Sequence, residues 1–349
     1  MILVAAPSAL ALEAPQPGAG VIAVRTTPCM LATQSGKQPC PLPALAEGAD
    51  STQQAAARTA RATFYIDVGD LKNALAEADE ALKLDPNNVD TRHLVARLAL
   101  STGDFKRAEP EIKTALQQRP DDANLQATNA ARLLDTRYDE ALRLFDQVLS
   151  AHPDHRFSRE SRARLRLALG LPDEAVADLD VLLAGDRRET SLLSLRAKAH
   201  IAAGHPKEAV ADLTEALNDD PDSFHLLTTR AAANEILGDD SAALADYDAL
   251  LGPIGGKPNY AISGDKLAKY QMQRALVSVR LKRFAEAAAD AVNALSVGGR
   301  RTLLKAQVFL RQNGFPETPL DGQPSEELRK AMQACMGLNS RFEKVSDSL

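Results

Sequence analysis

The chain has 349 residues, of which 45% are hydrophobic and only 4% aromatic. It is long enough to bury a sizeable core, and this composition favours a helical assembly over a β-sandwich or a barrel. The formal net charge of -6 leaves no basic surplus for a phosphate backbone, so nucleic acid is not expected as a partner. No apolar run is long enough to cross a bilayer, so no transmembrane span is predicted.

Residues 1–11 are apolar, rich in small residues and similar to the later part of a secretory signal peptide. Ala9-Leu10-Ala11 has the spacing of a cleavage site, which would lie before Leu12. The basic residues that usually open such a peptide are missing, which this interpretation explains by a start codon further upstream. The alternative is an apolar tail. The prediction is an exported, periplasmic protein, and a cytoplasmic location is the alternative.

Residues 12–53 are rich in Pro, Gly and Ala, show no helical period and are predicted to be a disordered linker. Cys29 and Cys40 lie in this linker. In an exported protein we expect them to form a disulfide, and the alternative is a pair of free thiols. No histidine or further cysteine lies nearby, so no zinc site is predicted.

Residues 54–301 carry a pattern that returns about every 34 residues. Each unit has a first helical segment with a small central residue, a turn, a second helical segment with an alanine, and in most units a closing proline. The small residues of the first segments are Ala62, Ala96, Ala130, Ala163, Ala197, Ala231 and Ala275. The alanines of the second segments are Ala74, Ala108, Ala141, Ala175, Ala209, Ala243 and Ala287. Such short helices cannot bury their apolar faces alone, so seven stacked units are predicted.

Two units depart from the common spacing. The turn between the two helices carries a glycine at Gly69, Gly103, Gly170, Gly204 and Gly238, whereas the third unit has Thr136 there. A loop at residues 252–266, rich in glycine and proline, is inserted between the sixth and seventh units.

The pattern resembles the tetratricopeptide repeat family. The resemblance implies an all-α, right-handed solenoid of about seven helix-turn-helix repeats, which binds a protein or peptide on its concave surface. Extending the register places these residues on that surface: Asp90, His93, Arg97, Glu160, Arg164, Ser194, Lys198, His225 and Thr228. Arg97, Arg164 and Lys198 hold the same place in their units and are expected to meet carboxylates of an extended peptide. The alternative is that these charges only solvate a face.

An arginine recurs in five of the first helices, and an acid follows sixteen residues later in each of those units. The pairs are Arg61 with Glu77, Arg162 with Asp178, Arg196 with Asp212, Arg230 with Asp246, and Arg274 with Asp290. We expect a series of ion pairs, within or between units, that sets the register of the repeats. The alternative is a charged row that binds a ligand.

Residues 302–349 break the period and resemble the small helical peptidoglycan-binding module of bacterial envelope proteins. The matching residues are Gln307, Leu310, Gly314, Phe315, Leu320, Asp321, Gly322, Ser325, Ala331 and Gln333. The resemblance implies that the turn with Gly314, Phe315, Asp321 and Gly322 shapes a glycan-binding groove. Locally, Gly314 is expected to end a helix and Ser325 to cap the next one. The alternative is a helical pair that only caps the repeat stack.

The sequence contains no glycine-rich phosphate loop, zinc-protease motif or nucleophile elbow. It therefore predicts a non-enzymatic protein with no cofactor and no metal. The leading hypothesis is a scaffold of the bacterial cell envelope that holds a partner protein and makes weak contact with peptidoglycan. The alternative is a cytoplasmic adapter or chaperone-like assembly factor.

Overall fold

The computed structural model describes residues 50–184, 189–252 and 264–337. Within these ranges the chain forms sixteen α-helices and no strand, so the predicted all-α fold is confirmed. The proposed signal segment, most of the linker with Cys29 and Cys40, most of the inserted loop and the tail beyond residue 337 lie outside the described residues.

Fourteen of these helices form seven hairpins, each with a first and a second helix. The first helices are α1 (Ser51–Asp67), α3 (Val89–Ser101), α5 (Ala123–Ala131), α7 (Arg156–Ala168), α9 (Thr190–Ala202), α11 (Phe224–Leu237) and α13 (Gly264–Arg280). The second helices are α2 (Leu71–Leu84), α4 (Phe105–Gln118), α6 (Tyr138–Ala151), α8 (Pro172–Leu183), α10 (Pro206–Asp219), α12 (Asp240–Leu251) and α14 (Phe284–Val297). Two further helices follow, α15 (Gly299–Gln312) and α16 (Glu326–Gly337). The chain divides into two compact units, Met1–Asp178 and Leu179–Leu349, which are described separately below.

The small residues predicted at the helix crossings are buried in every hairpin. All fourteen alanines named above have at most 1% of their surface exposed. In the fifth hairpin, for example, Ala197 of α9 and Ala209 of α10 share an apolar cluster with Leu213. A methyl side chain lets two helix backbones approach closely, and a larger one at such a site would force them apart. The predicted crossing register is therefore confirmed.

Most turns between the two helices depend on a glycine with positive φ. Gly204, at φ 79°, lets the His205 N–H donate to the carbonyl of His200 at 2.8 Å, which closes the end of α9. The third hairpin, which has Thr136 in this turn, lacks that bond, and the N–H of Arg137 donates to Leu133 instead. The seventh hairpin keeps the glycine-type geometry with Lys282, at φ 61°, which the sequence pattern did not reveal.

All five predicted arginine–acid pairs are present, each within one hairpin. Arg196 donates to both oxygens of Asp212, at 2.9 and 2.6 Å. The same guanidinium also donates to Asp180, on the preceding second helix, at 2.8 Å. The arginine therefore links the second helices of two consecutive hairpins as well as the two helices of its own. Because the acids from Asp178 onward are buried, the pairs support the register interpretation rather than a ligand-binding row.

Two hairpins of the first compact unit depart from this arrangement. In the second hairpin the buried acid is Glu111, and its partner is Arg92, one helical turn before the expected position. In the third hairpin the acid position holds Phe145, which is fully buried, and the arginine position holds Asn129. An apolar contact there takes the place of the ion pair.

Helices α15 and α16 pack against the seventh hairpin in one apolar core. This core joins residues of α13 and α14 to Leu303, Leu310, Leu328, Met332 and Cys335. Gly314, at φ 100°, follows the end of α15, and the Ser325 hydroxyl accepts the N–H of Leu328 at 3.1 Å, so both helix-end predictions are confirmed. The pair thus covers apolar surface that the last hairpin would otherwise expose.

Candidate functional site

The candidate binding surface is the side of the first helices that carries the polar residues selected from the sequence. We call it the first-helix face. In the first compact unit it comprises Asp90, His93 and Arg97 on α3 and Glu160 and Arg164 on α7. In the second compact unit it comprises Ser194 and Lys198 on α9 and His225 and Thr228 on α11.

His93 connects two neighbouring first helices through a neutral hydrogen bond. Its Nε2 lies 2.8 Å from the Thr128 hydroxyl oxygen on α5. That hydroxyl donates its own hydrogen to the carbonyl of Asn124 at 2.8 Å, so it can only accept from the ring. The imidazole therefore carries its proton on Nε2. Burial, and after it the charge of Arg97, lowers the pKa of His93 to about 4, which keeps the ring uncharged at neutral pH.

Arg97 lies one helical turn further along α3 and is half-buried. Burial lowers the pKa of its guanidinium, although this stays far above neutral pH. The first-helix face therefore holds a fixed positive charge in a partly desolvated place beside an uncharged imidazole. A carboxylate at such a place interacts more strongly than it would with a fully hydrated arginine. The sequence placed Arg97 on this face, but it gave no sign of the partial burial.

Further hydrogen bonds join the first helices of this unit. His155 caps α7 by accepting the N–H of Ser158 on Nδ1, which leaves the proton on Nε2, 3.3 Å from the Asn124 side-chain oxygen. The hydroxyls of Thr59 and Thr91 link α1 and α3 at 3.4 Å. Their spacing along the chain did not predict this role, because the role depends on which helices are neighbours. They hold the polar groups of the face in fixed positions.

Two ion pairs at the surface of this unit involve residues of the first-helix face. Asp90 accepts from Arg119 at 2.7 Å, and Arg164 pairs with Glu160 along α7 at 2.8 Å. Both pairs are substantially exposed to solvent, so each contributes little to stability. A ligand at Arg164 would compete with Glu160. Of the two arginines, Arg97 has the more desolvated charge.

The second compact unit supports only part of the expected surface. Ser194 is buried, with 8% of its surface exposed, so the expectation that it lines an open face is wrong. The reason is that α9 is covered by its neighbours on nearly every side, so the serine lies among its buried leucines. Lys198 is half-buried, and His225 is exposed. The Thr228 hydroxyl donates to the carbonyl of His225 at 3.0 Å, so its hydrogen is already bonded within its own helix.

The turn after α15 uses its polar atoms internally. Gln307 is fully buried, donates to the Asp321 carboxylate at 2.8 Å, and accepts the N–H of Gly322 at 2.8 Å. A side chain at Gly322 would collide with the backbone of Arg300, so the turn requires a glycine there. Phe315 is half-buried against the core of the last hairpin. These contacts give Asp321, Gly322 and Phe315 a structural role in holding the turn against the last hairpin.

Among residues 50–184, 189–252 and 264–337, no group of three His, Cys, Asp or Glu side chains is arranged to hold a metal ion. None of the helices in these ranges is both long and apolar enough to cross a membrane.

Models of the tetratricopeptide repeat family match residues 65–131, 130–189 and 194–261, which together make up more than half of the chain. The hairpins with buried alanines at the crossings and glycine at the turns agree with this match. The chain belongs to the tetratricopeptide repeat proteins. No curated protein matches it.

Solved structures with the same fold include PilW, a widely conserved type IV pilus biogenesis factor. It is 21% identical, with a TM-score of 0.52 over 58% of this chain and 94% of PilW. The C-terminal part of a repeat-containing protein from Cytophaga hutchinsonii is 14% identical. Its TM-score is 0.55, over 68% of this chain and 93% of that one. At sequence identities this low, the structural similarity shows a shared fold and nothing further.

Proposed function

We propose that this chain is a non-enzymatic scaffold of the bacterial cell envelope that binds segments of partner proteins on its first-helix face. Arg97 carries the proposal, because its charge is partly desolvated and lies beside the uncharged, hydrogen-bonded ring of His93. The hydrogen bonds between first helices hold the surface in place before a partner arrives, which lowers the entropy cost of binding. A partner segment with a carboxylate fits this arrangement.

A test compares partners recovered by matched variants of the full chain. Arg97→Gln removes the charge in the first compact unit, and Lys198→Gln does so in the second. The control is the pair Lys113→Gln and Arg143→Gln, two exposed residues on second helices. Each tagged variant is incubated with extract of the native cells, and the captured proteins are identified and quantified by mass spectrometry. We expect the first two variants to lose partners that the wild type and the control retain. Full retention by both would contradict the proposal.

The envelope location is part of the proposal. It is supported by the resemblance of residues 1–11 to a signal peptide and by the shared fold with PilW, described as a pilus biogenesis factor. Sequencing the N-terminus of the protein recovered from its native cells tests this point. A mature chain that begins near Leu12 in the periplasmic fraction is expected. A chain that retains Met1 in the cytoplasmic fraction would favour the alternative, a cytoplasmic adapter or chaperone-like assembly factor.

Weak contact between the C-terminal helix pair and peptidoglycan is the last part of the proposal. The engagement of Asp321 and Gly322 by Gln307 favours the alternative, in which α15 and α16 only cap the last hairpin. Sedimentation with purified sacculi separates the two. If the turn binds glycan, the full chain sediments weakly and Leu320→Glu, at an exposed residue of the turn, abolishes this. A full chain that stays in the supernatant would leave the pair as a structural cap.

A further inference from the structure

Helix α15 carries a concentration of basic residues without any acidic residue of its own. Residues 299–312 include four basic residues and no acidic one, in a chain whose net charge is -6. The four are all exposed: Arg300, Arg301, Lys305 and Arg311. Arg300 donates to the backbone carbonyl of Asp321 at 3.1 Å, and Arg311 donates to that of Thr318 at 2.6 Å. Both bonds are to backbone carbonyls. Hydrogen bonds from Gln307 and Gln323, and after them the charge of Arg300, lower the pKa of the nearby Asp321 carboxyl.

Arginines elsewhere in the described ranges mostly have carboxylate partners, even where they are exposed. Arg137 pairs with Glu140 at 2.9 Å, and Arg283 pairs with Glu286 at 2.6 Å. Within residues 50–184, 189–252 and 264–337, none of the four basic side chains of α15 forms an ion pair. The cause lies in the sequence, because α15 has no acid one turn away from any of them.

The exposed side of α15 also presents apolar surface. Val308 is 41% exposed, and it lies on the same side of the helix as Arg301 and Lys305 because of its spacing from them. Leu320, in the loop that follows, is 45% exposed. We call the surface formed by Arg301, Lys305 and Val308 the α15 basic stripe.

We propose that the α15 basic stripe is a docking surface for an acidic, amphipathic segment of a partner protein. Arg301 and Lys305, which form no ion pair with any residue that the structure describes, supply charge complementary to acidic side chains, and Val308 supplies an apolar contact between them. A membrane surface fits less well, because a helix that lies on a bilayer inserts its apolar face. The apolar face of α15, with Leu303 and Leu310, is already buried in the core of the last hairpin.

The test uses the full chain and a labelled synthetic peptide with leucines at helical spacing and glutamates between them. Binding is followed by fluorescence anisotropy at several salt concentrations. We expect saturable binding that weakens with salt, and a peptide with lysine in place of glutamate should not bind. Reversing two charges in Arg301→Glu with Lys305→Glu should lower the affinity by at least about tenfold. The matched control, Lys113→Glu with Arg143→Glu, changes the net charge equally and should stay within about twofold of the wild type.

Three outcomes would overturn the proposal. The first is that the acidic peptide fails to bind the full chain. The second is that the control pair loses as much affinity as the α15 pair. The third is that the stripe binds phosphatidylserine vesicles or a single-stranded oligonucleotide but does not bind the peptide. Circular dichroism first establishes that both pairs are folded. If the α15 pair is not, Arg301→Gln with Lys305→Gln replaces it, because this change removes the charges without adding repulsion.

Discussion

Arg274 donates to both carboxylate oxygens of Asp290, at 2.6 and 2.8 Å, and neither residue has more than 2% of its surface exposed. The same guanidinium reaches Asp248 on α12 at 3.0 Å and the carbonyl of Gly252 at 2.7 Å. One side chain thus joins the second helices of the sixth and seventh hairpins and the start of the inserted loop. This arrangement repeats, with more exposure, at Arg162 and Arg196.

Removing one partner of this buried pair should strongly destabilise the protein. Asp290→Ala leaves the Arg274 charge buried without its main partner, which costs about 3–5 kcal/mol in comparable cases. The double variant Arg274→Met with Asp290→Leu should recover most of that loss, since apolar side chains need no compensating charge. Urea denaturation followed by circular dichroism measures both.

The control for this prediction is an exposed ion pair. Arg137→Ala, which removes the pair with Glu140, should change the free energy of unfolding by about 0–1 kcal/mol. If Asp290→Ala unfolds at the same urea concentration as Arg137→Ala, the buried pair does not have the role assigned to it.

Lys282 is in a backbone conformation that favours glycine. Its φ of 61° lies in the left-handed region, where any residue other than glycine destabilises the folded chain by about 1 kcal/mol. Lys282→Gly should therefore stabilise the protein by up to about 1 kcal/mol, because glycine adopts this conformation without strain. A thermal melt measures the gain. The reverse change at the equivalent turn, Gly238→Lys, should lower the midpoint, and a higher midpoint for that variant would refute the explanation.

The sequence was sufficient to predict the hairpins, because their signals are local and recur in register. Ala197 and Ala209 could be placed at a helix crossing from their spacing alone, and Arg196 could be paired with Asp212 for the same reason. Each assignment depends on the helical period and on one constant separation along the chain. The structure adds that Arg196 also reaches the preceding hairpin.

The properties of individual site residues could not be predicted as well, because they depend on neighbouring helices. The period places both Ser194 and Lys198 on the same side of α9, yet only Lys198 remains partly exposed. The partial burial of Arg97 and the bond between His93 and Thr128 likewise depend on how closely α3 and α5 approach. The spacing within one repeat carries no information about that distance.

A large side chain at a helix crossing should destabilise its hairpin. Ala197→Leu adds volume where Ala209 and Leu213 leave no space, and such overpacking typically costs about 1–3 kcal/mol. The thermal midpoint should fall clearly. The control is Ala202→Leu, at an exposed position near the end of the same helix, where the midpoint should stay close to that of the wild type. Equal midpoints for the two variants would show that the assigned crossing register is wrong.

Protonation of His93 should make the fold sensitive to acid. Burial lowers the pKa of His93 from its ordinary value of 6.5 to about 4. Between pH 4 and pH 6.5, the histidine therefore binds a proton in the unfolded chain and not in the folded chain. Stability from this residue is complete above pH 6.5 and is lost as the pH falls towards 4. The loss is on the order of 1–3 kcal/mol.

His93→Gln keeps a donor for Thr128 and removes the titration. Unfolding midpoints at pH 7 and pH 5 should therefore differ less in this variant than in the wild type. An unchanged difference would show that His155 and His200, whose pKa values burial also lowers, account for the acid sensitivity.

The most direct test of the account is the affinity of a captured partner for Arg97→Gln. The partner segment is titrated into the full chain by calorimetry at low and moderate salt, beside the wild type and the control pair Lys113→Gln with Arg143→Gln. We expect Arg97→Gln to weaken binding by about tenfold or more and to reduce its salt dependence, because a partly desolvated ionic contact is lost. An affinity equal to that of the wild type, with the same salt dependence, would contradict the assignment of the first-helix face as the partner-binding surface.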